Sequence, residues 1–212
     1  MPFPPNLRPL VIIGIAALAV ALAAPGGPGW TQDGPPEAKK RGPPSLPKTP
    51  AERDRTLSDL YALLTTADDE IAAKAVADSI ERIWLHSGSP TVDLLFGRAM
   101  QAISEKNYDR ALKMLDHAVE QAPDFTEGWS RRAFVHFQRN QVTLALGDLR
   151  RALALDPNHF KALDGLAQVL RDIGENRAAL DVLRRLHDVH PHWAGAAQAI
   201  EELSREVEGQ GI

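Results

Sequence analysis

The stretch that decides the fold is residues 126–159, TEGWSRRAFVHFQRNQVTLALGDLRRALALDPNH. It contains two runs with apolar residues at helical spacing, one around Ala133 and one around Ala145. The same arrangement occurs 34 residues earlier and 34 residues later, and each copy ends at one of three evenly spaced prolines, Pro123, Pro157 and Pro191. A fixed period of this length predicts a solenoid of stacked helical hairpins rather than one closed core.

Alanine occupies the positions where the two helices of each predicted hairpin approach most closely. These pairs are Ala99 with Ala111, Ala133 with Ala145, and Ala167 with Ala179. Small side chains there let antiparallel helices come close, while larger residues fill the space between hairpins. The phased pattern resembles the tetratricopeptide repeat (TPR) over residues 92–191. The resemblance implies an all-α, right-handed α-solenoid, with three repeats inside residues 91–191 at 92–125, 126–159 and 160–193.

Further helices are predicted on both sides of the repeats. Residues 192–208 have one apolar face and one glutamate-rich face, as expected of a helix that caps a solenoid. Residues 51–90 predict a helical hairpin that starts at the capping box Thr49–Glu52 and serves as a degenerate repeat or an N-terminal cap. Its second helix is predicted to bury one face, made of Ala72, Ala75, Val76, Ser79, Ile80 and Ile83.

The N-terminal residues predict a targeting segment followed by a linker. Residues 10–24 are fifteen apolar residues, short of the ~20 that span a bilayer, and Ala21-Leu22-Ala23 fits a signal cleavage site. We therefore expect residues 1–24 to be a signal peptide, or alternatively an uncleaved inner-membrane anchor. Residues 25–50 are rich in proline and glycine and predict a disordered linker. Either reading places the repeats outside the cytoplasm, in the periplasm or another extracytoplasmic compartment, as in exported bacterial TPR proteins.

Composition restricts the classes of function. Residues 51–212 carry 19 Lys and Arg against 26 Asp and Glu, a balance that argues against a nucleic-acid partner. The chain has no cysteine, and the spacing of its histidines near Pro191 matches no strong metal-ligand pattern. No catalytic motif is present, so we expect no enzyme activity, no metal and no cofactor.

The TPR resemblance implies that the first helices of the hairpins line a concave groove that holds a peptide or helix of a partner protein. Carried over by position, the groove residues are Phe96, Met100, Ile103, Ser130, Phe134, Phe137, Asp164, Gln168 and Arg171. Phe134 and Phe137 are the strongest candidates because aromatic anchors dominate interface energetics. The alternative is that both rings pack between repeats.

Two other sets of positions bear on the partner. Chaperone-binding TPR proteins hold a C-terminal carboxylate with lysine and asparagine, and this chain has Asp93 and Gly97 at the matching positions of its first repeat. That carboxylate clamp is therefore expected to be absent. Arg98 and Arg132 replace the usual leucine and are predicted to form ion pairs across the hairpin, or else to contact a partner.

These observations predict an exported scaffold or adaptor that binds a protein or peptide partner in its groove. The membrane is involved only through residues 1–24, if they stay uncleaved. The alternative function is structural, with the solenoid ends forming a homo-oligomer.

Overall fold

The structure, a computed structural model, describes residues 46–47 and 49–209. The predicted signal or anchor and nearly all of the predicted linker lie outside the described residues. Within the described part the chain forms nine α-helices and no strand: α1 (Pro50–Thr65), α2 (Glu70–Trp84), α3 (Pro90–Ser104), α4 (Tyr108–Gln121), α5 (Thr126–Gln138), α6 (Val142–Leu155), α7 (Phe160–Asp172), α8 (Asn176–Val189) and α9 (Ala196–Gly209). The predicted all-α solenoid is confirmed.

Three hairpins, α3–α4, α5–α6 and α7–α8, follow the 34-residue period. Each hairpin turns at a residue with positive φ, and these residues are again 34 apart: Lys106 (55°), Asn140 (58°) and Gly174 (80°). Glycine adopts this conformation without steric strain, whereas a lysine there is uncommon. All six alanines of the three predicted pairs are buried. The small residues therefore lie where the helices of each hairpin pack together.

The loops between repeats are held by arginines that also recur at the period. Arg151 of α6 donates to the carbonyl oxygen of Pro123 at 3.3 Å, and Arg185 of α8 donates to that of Pro157 at 2.5 Å. Each bond joins the second helix of one repeat to the loop that ends the repeat before it. Neighbouring repeats are thus linked by hydrogen bonds as well as by apolar packing.

The N-terminal hairpin α1–α2 packs at an unexpected place. Its buried residues share a core with α7, α8 and α9, and no buried residue of α3 or α4 belongs to that core. The Tyr61 hydroxyl donates to Asp156 at 2.6 Å, and a ring nitrogen of His192 lies 3.0 Å from the Ala67 carbonyl oxygen. The hairpin is therefore not an N-terminal cap stacked on the first repeat; it packs along the third.

The predicted buried face of α2 is wrong in part. Ile80 and Ile83 are buried as expected, but Ala72 and Ala75 are exposed. The buried positions also include Ala73, Ala77 and Trp84, which continue the spacing of Ile80 along the helix. The large Trp84 ring, which is 1% exposed, turns this face inward because its burial removes the most apolar surface from water.

Candidate functional site

Residues of the second and third repeats enclose a cavity of about 280 Å³. Its wall includes five of the predicted groove residues and one residue from the loop before α9: Ser130, Phe134, Phe137, Asp164, Gln168 and Trp193. We call this space the groove cavity. Its volume lies just below the ~300–1,000 Å³ of typical small-molecule pockets, so it suits side chains of a bound segment better than a whole cofactor.

The other predicted groove residues lie elsewhere. Phe96 is buried in the first-repeat core, where its ring meets the edge of Phe125 at 5.1 Å between centroids. Met100 and Ile103 are half-buried against the same core. Arg171 is exposed and outside the cavity wall. The continuous groove predicted along all three repeats is therefore restricted to a cavity between α5 and α7.

The apolar part of the wall is aromatic. Phe134 and Phe137 are three residues apart and share one face of α5, and Phe134 is 41% exposed. Trp193 completes the wall, and its ring packs against Phe160 at 5.3 Å between centroids. Sequence reasoning assigned Trp193 to the capping helix, because the pattern gave no sign that α9 begins only at Ala196.

Asp164 is the acidic group of the groove cavity. Its two carboxylate oxygens accept hydrogen bonds from the Trp193 indole at 3.2 Å and from the Gln168 amide at 2.6 Å. Burial raises the pKa of Asp164, and these two hydrogen bonds only partly offset that effect. The indole and the amide are neutral donors, so they orient the carboxylate without neutralising its charge.

Two basic side chains also line the groove cavity, and each is held by a carboxylate. Nε of Arg131 lies 2.6 Å from Oε1 of Glu127 one helical turn away. Nζ of Lys161 lies 2.6 Å from Oε2 of Glu81, which belongs to α2 of the N-terminal hairpin. The N-terminal hairpin thus contacts a residue of the cavity wall directly.

A buried polar cluster lies behind Arg131. Nε2 of His159 is 3.0 Å from Oε2 of Glu127, and the His159 ring stacks on Trp84 at 3.7 Å between centroids. Nδ1 of His159 accepts a hydrogen bond from the amide of Ala162, which places the ring proton on Nε2, facing Glu127. Burial raises the pKa of Glu127, but His159 and Arg131 outweigh it and hold the pKa at about 2.

The two arginines that replace leucine have different environments. Arg132 donates two hydrogen bonds to Asp148, at 2.7 and 2.8 Å, and its guanidinium lies 4.6 Å from the Trp129 ring centroid. Arg98 is exposed and has no ion pair among the described residues. Met114 stands in the first repeat where Asp148 stands in the second, 34 residues on. Comparing that position between repeats would have predicted an ion pair for Arg132 and none for Arg98.

A larger cavity of about 530 Å³ lies between α1 and the loops that precede α5 and α7. Arg53, Tyr61, Asp124 and Asp156 contribute to its wall. Burial, followed by the adjacent Asp156, raises the pKa of Tyr61 far above its ordinary value. The Tyr61 hydroxyl already donates to Asp156, and no exposed Phe, Tyr or Trp among the described residues lines this cavity. The groove cavity is the better candidate for binding a protein segment.

The helices described offer no membrane span, since none of them is both long and apolar enough to cross a bilayer.

Two known proteins illustrate what this chain is similar to in sequence. A TPR repeat-containing protein of Rhizobium etli is 33% identical over 153 residues, which are 72% of this chain and 75% of that protein. Human serine/threonine-protein phosphatase 5 is 28% identical over 102 residues, which are 48% of this chain but only 20% of the phosphatase. No protein-family model matches the chain.

Solved structures agree on the fold. The Sgt2 TPR domain of Aspergillus fumigatus has a TM-score of 0.53 at 21% identity and covers 58% of this chain and 83% of its own. The first TPR domain of Spaghetti, bound to the Hsp90 peptide SRMEEVD, has a TM-score of 0.54 at 18% identity and covers 57% of this chain and 98% of its own. Together with the repeat period, the repeat-phased turns and the Rhizobium relative, these likenesses show that the chain belongs to the TPR repeat proteins.

Proposed function

We propose that the chain is an interaction module that binds a peptide segment or a helix of a partner protein in the groove cavity. The observation that carries this proposal is the aromatic wall, in which Phe134 stays 41% exposed beside Phe137 and Trp193. Large aromatic side chains in a concave site are the usual anchors of protein interfaces. The peptide-bound state of the similar Spaghetti domain supports the same use of the fold.

The first repeat favours a partner that is not held by a terminal carboxylate. Asp93 accepts hydrogen bonds from the Ser87 amide and hydroxyl, both at 2.7 Å, so its carboxylate anchors the loop before α3. Gly97 offers no side chain at the other clamp position. An internal segment of a partner therefore suits this groove better than a chaperone C-terminus.

A photo-crosslinking amino acid at position 134 tests the proposal in cells. It should capture a partner, whereas the same group at position 144 should not, because Leu144 is 52% exposed and does not line the groove cavity. Phe137→Ala should reduce capture from position 134 by roughly tenfold while leaving the helical CD signal intact. Equal capture from the two positions would contradict the groove assignment, and a crosslink between two copies of the chain would favour the homo-oligomer instead.

We further propose that this module is non-catalytic and acts outside the cytoplasm. The apolar run at residues 10–24 and the following proline-rich linker support export, and the chain contains no recognisable catalytic motif. Mass spectrometry of the protein from its own cell should show loss of the first 23 residues. Full-length protein confined to membranes would indicate an anchor, and full-length protein in the cytosol would contradict export.

A further inference from the structure

The charges around the groove cavity do not balance. Both basic residues of its wall are matched by carboxylates, Arg131 by Glu127 and Lys161 by Glu81, each at 2.6 Å. Asp164 is the remaining charged residue of the wall, and it has no cationic partner among the described residues. Counted together with the two carboxylates that pair its basic residues, the described wall therefore carries one surplus negative charge.

That surplus charge is exposed to a ligand and poorly solvated. Trp193 and Gln168 each donate one hydrogen bond to Asp164, and every carboxylate oxygen has a second lone pair available. Partial burial of Asp164 weakens its hydration, as the direction of its pKa shift reflects. A cation entering the cavity would recover the electrostatic stabilisation that water supplies elsewhere.

The aromatic side chains in the same wall favour the same kind of ligand. The faces of Phe134, Phe137 and Trp193 carry negative quadrupole potential and attract cations within ~6 Å. Lysine and arginine combine an apolar stem with a cationic head, so one side chain can use both the rings and the carboxylate. An anionic side chain would instead face Asp164, while the two basic residues are already paired.

We propose that the groove cavity receives a lysine or arginine side chain of the partner segment, with its stem against Phe134 and Phe137 and its cationic head at Asp164. This inference rests on the proposed function, because it specifies the chemistry of the bound segment. It is consistent with the acidic balance of residues 51–212, which carry 19 Lys and Arg against 26 Asp and Glu.

Three blocked tripeptides, acetyl-Leu-X-Leu-amide with X as lysine, norleucine or glutamate, test the inference on the full chain. The readout is the NMR signal of the Trp193 indole N–H, identified with a Trp193→Phe variant, because this group donates to Asp164. The lysine peptide should bind at least ~5-fold more tightly than the norleucine peptide, as expected for a partly desolvated cation beside aromatic rings and a carboxylate.

Asp164→Asn should reduce that preference to below ~2-fold while preserving the helical CD signal. Asp172→Asn, at an exposed position of the same helix, is the matched control and should leave the preference unchanged. Equal binding of lysine and norleucine peptides, tighter binding of the glutamate peptide, or no indole shift at about 10 mM peptide would overturn the inference.

The two proposals fail separately. Capture of a partner from position 134, together with no lysine preference, would refute the cationic ligand and retain the groove. A lysine preference that depends on Asp164, without capture from position 134, would retain the cation site and refute its use in binding a partner protein.

Discussion

The first and third repeats share one sequence pattern but differ in what covers them. The first repeat packs its core around Phe96 and Leu115, and the second repeat adds to the buried residues of that core only Val135, in the last turn of α5. The third repeat shares its core with α1 and α2 on one side and with α9 on another. The repeat pattern thus specifies each hairpin, whereas residues outside the pattern, such as Trp84, decide which hairpin receives additional packing.

Substituting Trp84 should give the largest loss of stability. The loss should be confined to the helices that pack on the third repeat. Trp84→Ala removes a ring that is 1% exposed and should lower the free energy of unfolding by ~3–5 kcal/mol. Because this ring packs on His159 and Phe160, amide protection should fall in α1, α2 and α7 and persist in α3 and α4.

Phe96→Ala is the counterpart in the first repeat. It should show the opposite pattern, with hydrogen exchange accelerated in α3 and α4 and little changed in α1 and α2, because Phe96 belongs to a separate core. Uniform loss of protection in both variants would mean that the two regions unfold as one unit and do not differ in local stability.

Glu127→Gln should give the next largest loss of stability. It tests the buried contacts that connect Glu127 of the second repeat, through His159, to Trp84 of the N-terminal hairpin. Removing the charge leaves Arg131 without its buried partner and should cost about 3 kcal/mol at neutral pH. The folded-state pKa of Glu127 is lowered from 4.5 to about 2, so its contribution is complete above pH 4.5 and is lost as the pH falls toward 2. Urea melts across this range should show a weaker acid dependence in the variant.

Glu120→Gln is the control for this measurement. Its side chain is 79% exposed on α4, so the change in unfolding free energy should stay within ~0.5 kcal/mol at every pH. A wild-type-like acid profile in Glu127→Gln would show that the buried cluster does not contribute to the pH dependence.

The smallest loss of stability should come from a larger side chain placed between the two helices of one hairpin. Ala145→Leu adds three carbons at a position with no exposed surface and should cost ~1–3 kcal/mol, because the helices of the second hairpin must move apart. Arg150→Ala, at an exposed position of the same helix, should change stability by less than ~0.5 kcal/mol. Equally mild urea melts for the two variants would show that the assigned repeat register is wrong.

What the sequence predicted and what it missed have different physical origins. The alanine pairs and the three prolines act through local packing and chain geometry, so a single period reveals them and the fold with them. The location of α1–α2 depends on the contact of Trp84 with His159, and neither residue belongs to the repeat pattern. No local pattern indicates such a contact, because it forms only after the intervening hairpins have brought both residues together.

The groove residues also divide into those that the repeat pattern predicts and those that depend on contacts between distant parts of the chain. The family resemblance grouped Phe134, Phe137 and Asp164, and these three residues line one cavity because their positions follow the helical repeat. The resemblance missed Trp193, which lines the cavity from a loop. It included Phe96, which is buried in the core of the first repeat. The balance of charges was also invisible, because Glu81 lies 80 residues before Lys161 in the chain.

The packing of α1–α2 against the third repeat also has a consequence for the order in which the chain folds. Tyr61 meets its partner Asp156 across 95 residues, and Ala67 meets His192 across 125. A linear array can gain structure repeat by repeat from whichever end emerges first, since each unit needs only its neighbour. Here the earliest helices must wait for the last repeat, and contacts of such long sequence separation slow folding. We expect a lag between formation of the repeats and docking of the first hairpin, visible in refolding as late burial of Trp84.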